Sequence, residues 1–132
     1  MPSIPEDYHD LFEKPTIAHL STLLPDGSPH SAPVWVDYDA GADRLLVNTE
    51  RERRKEKNVR EDPRVAVSMT DPEDPYRMLA LRGEVDELTT EGAREHIDEL
   101  ARRYTGDEYQ IPIQTERVVL EIAVEHVSRM GE

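Results

Sequence analysis

Turn chemistry recurs along this chain about every ten residues, and that cadence leaves room for little besides short antiparallel strands. Pro25-Asp26-Gly27-Ser28 is the first signal: proline presets φ and glycine accepts a positive φ. Asp39-Ala40-Gly41-Ala42-Asp43 is the second, and Asp62-Pro63 stops whatever precedes it. Asp71-Pro72-Glu73-Asp74-Pro75 reads as a rigid acidic loop. Between these breaks lie runs of β-forming residues at 16–24, 29–38, 44–48, 65–69, 76–88 and 118–124, the last extended by His126 and Val127. Two prolines inside the second run suit an edge or a bulged entry. Gly83, inside the fifth, marks a bulge.

Helices are the minority. Residues 90–104 place Ala93, Ile97, Leu100, Ala101 and Tyr104 on one face, with Thr89 or Thr90 as cap and Gly106 past the end. Residues 7–13 form a short helix that Pro15 ends. Six strands, one long helix and one or two short ones predict a mainly β fold, a small antiparallel barrel with helical decoration, in a single domain spanning 1–132. The tail after Val127 is expected to be loose.

The stretch 45–68 breaks the pattern in an informative way: a strand, a short charged helix, then a second strand. Residues 51–60 carry six basic and two acidic side chains in a chain of net charge −13, so a region of +4 sits in surroundings of −17. A helix that stabilised itself through ion pairs would place opposite charges four apart. Here Arg51/Lys55, Arg53/Lys57 and Glu52/Glu56 are like-charge pairs, and only Glu56/Arg60 is favourable. With Thr49 or Asn48 as the cap, the basic residues crowd the positive end of the helix dipole, where a bound anion would relieve them. Two readings remain open from these residues alone, an anion site and a solvated basic face.

Composition narrows the classes. There is no cysteine, hence no disulfide, thiolate nucleophile or cysteine-ligated metal. No apolar run approaches a membrane span and the N-terminal residues do not read as a signal peptide, so a cytoplasmic protein is expected. Acidic residues number 29, whereas lysine occurs only at Lys14, Lys55 and Lys57. Such a surface stays hydrated when salt screens its repulsion, which points to a salt-loving source. The same charge argues against nucleic-acid binding.

Catalytic signatures are weak one at a time. His9 and His96 fall on polar flanks and are expected to be solvated; His19 lies within a strand, and His126 has no partner in sequence. No zinc-protease, nucleophile-elbow, Walker or dinucleotide fingerprint occurs, and no metal site is expected. Three features stand out: His30 ahead of a strand bearing Trp35, the strand end Val47-Asn48-Thr49, and the cluster Arg53, Arg54, Lys55 and Asn58. Together they bring polar backbone, a hydroxyl and positive charge to one barrel edge. That suits a ligand with a planar head and a phosphate tail.

With the segments 22–36, 47–65, 74–85, 103–106 and 117–122, the chain resembles the pyridoxamine 5′-phosphate oxidase-like split β-barrel superfamily. Within it, the likeness is to the short coenzyme F420-dependent branch. The pairing of DGSPHSAPVW with T-x5-K-x2-N-x4-P-R-V is the specific part. The resemblance implies a six-stranded antiparallel split β-barrel of FMN-binding type. It implies a homodimer with flavin or deazaflavin sites in clefts between subunits. Thr49 and Lys55 match positions that hold the cofactor phosphate, with Arg53, Arg54 and Asn58 in support. His30, Ser31, Ala32, Pro33 and Val34, with Val47 and Asn48, match segments lining the ring system. In this branch hydride passes between coenzyme F420 and a small organic substrate. FMN is the alternative cofactor, and a non-catalytic flavin- or F420-binding protein is a further alternative. The extra basic residues Arg51, Arg53, Arg54 and Lys57 favour the longer, more negative F420 tail. No residue is assigned as catalyst; Tyr76 and Tyr109 are candidate proton donors if either reaches the pocket. A C-terminal segment characteristic of pyridoxamine phosphate oxidases is missing, so pyridoxamine oxidation is not expected.

Overall fold

The computed structural model describes residues 3–129. Seven strands form one antiparallel sheet: β1 (Ala18–Leu23), β2 (Pro29–Val34), β3 (Asp37–Asp39), β4 (Arg44–Glu50), β5 (Arg64–Asp71), β6 (Asp74–Thr89) and β7 (Arg117–Arg129). Their spatial order is β2-β1-β5-β6-β7-β4-β3. The two end strands, β2 and β3, are consecutive in sequence, so the two residues Trp35 and Val36 carry the chain from one end of the sheet to the other. This is the split barrel. The strand count is seven rather than the expected six, because the run at 29–38 breaks at that crossing. Val36 is fully buried there, and its N–H donates to the Tyr104 hydroxyl.

Alternation puts one face of each strand inside. Leu20, Val67, Leu81, Ile122, Leu120, Leu45 and Val47 are all at most 2% exposed. Each such side chain contributes roughly 2 kcal/mol relative to leaving it in water. Helix α2 (Ala93–Thr105) packs on β7 and β4 with Ile97, Leu100 and Ala101 buried. Its Tyr104 hydroxyl donates to Thr16 O at 2.5 Å, which ties the helix end to the entry of β1. A 3-10 helix (Glu6–Phe12) buries Leu11 and Phe12. No helix among the described residues is long and apolar enough to cross a membrane.

Gly83 sits at a register shift between β6 and β7, and a Cβ there would lie 2.0 Å from the Ala123 carbonyl oxygen. The bulge read from sequence therefore has a steric cause: the two backbones approach too closely for a side chain.

Several expectations are corrected. Helix α1 (Arg54–Glu61) is not capped by Thr49 or Asn48, which both belong to β4; Arg53 holds the cap position without a side-chain bond. Glu56 does the work from inside the helix. Its fully buried carboxylate accepts the Glu52 N–H at 2.8 Å and pairs with Arg60 at 2.7 Å and Arg51 at 3.3 Å. The chain reverses just before, with Glu52 at a φ of 75°. Helix α2 starts after Gly92, not at Thr89 or Thr90, because β6 continues through Thr89. The acidic loop shrinks to Pro72 and Glu73 between two paired strands. Asp71 is buried rather than looped out, paired with Lys14 and Arg77, each at 2.7 Å. The tail is not loose after Val127: Ser128 and Arg129 pair with Ala80 and Leu79, and only 130–132 lie outside the described residues.

Candidate functional site

A cleft of about 370 Å3 opens where β4, the start of α1, the Trp35 corner, α2 and β7 meet. Its walls divide by chemistry. Ile17, Pro33, Val34, Trp35, Ile97 and Ile111 form the apolar part, and Asn48, Thr49, Arg53, Lys55, Tyr109 and Arg117 the polar part. The aromatic wall is ordered by packing: Trp35 stacks on Tyr104 with centroids 5.0 Å apart and meets Tyr109 edge-on at 6.3 Å.

The polar end is an excess of positive charge. Lys55 is half-buried, and among the described residues no carboxylate pairs with it. Its pKa is lowered by burial first, then by the charges of Arg53 and Arg117. Arg117 is 7% exposed, and burial likewise lowers its pKa. One carboxylate, Glu50, serves two of the cations: its Oε2 lies 3.4 Å from Arg53 and 3.7 Å from Arg117. Burial alone would raise the Glu50 pKa, but the backbone N–H groups of Thr115 and Gln114 on Oε1 outweigh it and hold it below the usual range. Three cations against one committed carboxylate leave a net positive end. A buried lysine without a partner is costly unless an anion joins it. The donor set fits a phosphate, and the apolar walls fit a planar ring.

Arg117 is itself held in place. Its Nε–H donates to Asn48 Oδ1 at 2.9 Å, and its guanidinium lies over the Tyr109 ring, 4.9 Å from the centroid. Behind Asn48 stands His96, half-buried and bonded, not solvated as expected. His9 is also half-buried, with its Nε2 on Ile4 O at 2.9 Å and its ring against Tyr38.

Of the residues singled out from sequence, Pro33, Val34, Asn48, Thr49, Arg53 and Lys55 line the cleft, as does Trp35. His30, Ser31 and Ala32 lie further along β2, opposite Thr22, Ser21 and Leu20, outside this lining. Val47 points into the barrel core. Asn58 is buried under α1 and donates to the Thr22 hydroxyl at 2.9 Å. It also borders another cleft with Arg54, Pro25, Lys57, Arg60 and Glu61. Tyr109 reaches the main cleft; Tyr76 is 76% exposed and does not line it. Ile17, Ile97, Ile111 and Arg117 were not singled out. Arg117 carried one usable signal, a lone basic residue opening the apolar run Val118-Val119-Leu120.

A family model described as pyridoxamine 5′-phosphate oxidase matches residues 4–131. Among solved structures, an F420 reductase is 32% identical with a TM-score of 0.83, covering 95% of this chain and 98% of its own. A conserved hypothetical protein from Mycobacterium tuberculosis is 24% identical with a TM-score of 0.76, covering 96% of this chain and 84% of its own. General Stress Protein 26 from Bacillus anthracis shares the fold at 19% identity and a TM-score of 0.71, covering 95% and 92%. A comparison with curated proteins finds no match.

Proposed function

We propose that this chain, which belongs to the pyridoxamine 5′-phosphate oxidase family, is an oxidoreductase that moves hydride between coenzyme F420 and a small organic substrate. The observation that carries the reading is the half-buried Lys55, without a carboxylate partner among the described residues and flanked by Arg53 and Arg117 at one end of an apolar cleft. Similarity to an F420 reductase at 32% identity favours F420 within the family.

In this reading Thr49, Arg53, Lys55 and Arg117 hold the cofactor phosphate. Pro33, Val34, Trp35 and Asn48 border the ring, with Ile97 beneath. His30, Ser31, Ala32 and Val47 support that wall from β2 and the core. Arg54, on the neighbouring cleft, extends the positive surface toward an anionic tail, and the buried Asn58 steadies α1 beneath it through the Thr22 hydroxyl. Bound there, a reduced deazaflavin supplies a hydride to an unsaturated or quinone-like compound. The chain's own part is to orient the ring, neutralise the phosphate and keep water off the apolar wall. In this reading the proton donor to substrate is the Tyr109 hydroxyl, which lines the cleft and accepts from Arg117 Nη1 at 3.4 Å. FMN is the second reading, because it offers the same phosphate to the same cations.

The working unit we propose is a cytoplasmic homodimer with its cofactor sites at the subunit interface. The exposed rim residues Ile17 and Ile111 support it, since they leave apolar surface at the mouth of the cleft. Sedimentation at twice the 15.2 kDa protomer mass is the expected result.

The test is a fluorescence titration in high salt with F420 and FMN side by side. Micromolar or tighter F420 binding with weak FMN binding is expected. The reverse preference moves the protein to the flavin reading, and binding of neither overturns both.

A further inference from the structure

Behind the cleft wall runs a chain of bonds whose direction is fixed by its ends. Asn48 Nδ2 donates to the Ala93 carbonyl at 2.8 Å, a group that can only accept. Asn48 Oδ1 accepts from Arg117 Nε at 2.9 Å, a group that can only donate. The amide therefore has one orientation. Its second N–H then faces His96 Nδ1 at 3.1 Å, so Nδ1 must be an unprotonated acceptor. His96 Nε2, 2.9 Å from Asp37 Oδ2, carries the proton and donates to that carboxylate. Asp37 is shared with Arg103 at 3.2 Å and also accepts the Tyr38 N–H. Burial works against this carboxylate, yet the bond from His96, the Arg103 charge and the Tyr38 N–H keep its pKa lowered.

We propose that His96 is a positioning residue: as the neutral, Nε2-protonated ring it locks the Asn48 amide and so holds Arg117 at the anion end of the cleft. The inference rests on the phosphate-end reading above for its purpose, though not for its geometry. Adding a proton at Nδ1 sets a donor against the Asn48 N–H. Turning the amide to meet it would cost the bond to Ala93 O and set Nδ2–H against Arg117 Nε–H. In either arrangement the chain loses a bond, and Arg117 loses its fixed acceptor. The groups that bear on the ring are Asp37 on β3, Arg103 on α2 and, beyond Asn48, Arg117 on β7. Glu95 and Glu99 on the same helix are exposed. A proton added to the ring at Nδ1 is thereby felt at Arg117 through the Asn48 amide.

Two measurements test this on the full chain. Nitrogen NMR of the ligand-free protein should show His96 as the Nε2–H tautomer at pH 8. On acidification, the Asn48 amide and Arg117 Nε–H signals should move together with the His96 ring. In His96→Asn, whose side-chain oxygen can accept from Asn48 but cannot titrate, those two signals should stay still. An Nδ1–H tautomer, or Asn48 and Arg117 signals that ignore the ring, overturns the proposal. Calorimetric titration with inorganic pyrophosphate reads the consequence. Wild type should lose at least threefold more affinity between pH 8 and pH 5.5 than His96→Asn; equal losses overturn the coupling. Ligand titration is common to both proteins and cancels. If pyrophosphate binds neither protein, the phosphate-end reading fails and with it the purpose assigned to His96, whereas the NMR result still decides the positioning geometry.

Discussion

Lys55 sets the stability of the free protein against its capacity for a ligand. Burial and the two nearby guanidinium groups lower its pKa from the ordinary lysine value, so folding favours the neutral amine. Between that lowered value and the ordinary one the unfolded chain binds more protons than the folded one, and stability rises with pH through the window. Lys55→Met should raise the thermal midpoint of the ligand-free protein at pH 7 by about 2 °C. Losing one charge-assisted bond should also weaken cofactor binding roughly 10- to 100-fold. Calorimetry and the fluorescence titration together check this; a lower midpoint with unchanged affinity would sink the phosphate role. Thr49, Arg53 and Lys55 were legible because they follow one another along one turn of chain, and crowded like charge is visible in sequence. Arg117 was not, since it reaches the cleft through β7, 69 positions from the Asn48 it bonds. His96 was misread for a related reason. A polar residue on a helix flank looks solvated until β3 and β4 supply its partners.

At the scale of elements, local sequence carried what sterics and turn chemistry decide and missed what pairing decides. The Gly83 bulge and the Gly106 helix end were readable, since each depends on a glycine for a nearby physical reason. The start of α1 was not, because the buried Glu56 fixes it by reaching back to the Glu52 N–H, and burial is not a local property. The crossing at Trp35-Val36 was hidden within an unbroken β-forming run. Gly83→Ala, which forces a methyl against the Ala123 carbonyl, should destabilise by about 3 kcal/mol. A urea midpoint equal to wild type would show that β7 can yield there. The N-terminal segment is held to the β5–β6 turn by Asp71. Its bond to Lys14, the Glu73 N–H and its bond to Arg77 hold the carboxyl well below the usual range. A carboxylate with a depressed folded pKa adds stability above its unfolded value, which is lost as pH falls through the folded one. Acid unfolding of Asp71→Asn should accordingly begin from a lower midpoint at pH 6 and fall less steeply below pH 4 than wild type. Parallel melting curves for the two proteins would exclude that linkage.

For the whole molecule, the excess of 29 acidic over 16 basic residues governs behaviour in solution. Self-repulsion falls as salt shortens the screening length from about 10 Å at 0.1 M to about 3 Å at 1 M. The thermal midpoint should rise steadily between those concentrations, and a flat or falling curve would contradict the salt-loving reading. The topology has a different consequence, one of timing. β4 leaves the ribosome well before β7, the strand with which it pairs, and β7 opens with Arg117. A nascent chain that stops short of that point has all six apolar wall residues and two of the three cations, yet neither the strand that anchors β4 nor the guanidinium that completes the cleft. A ligand of the proposed site would therefore stabilise only chains that extend through β7. If the proposed phosphate site holds a cofactor, a shortage of it would be felt by chains whose β7 is in place and not by shorter, growing ones.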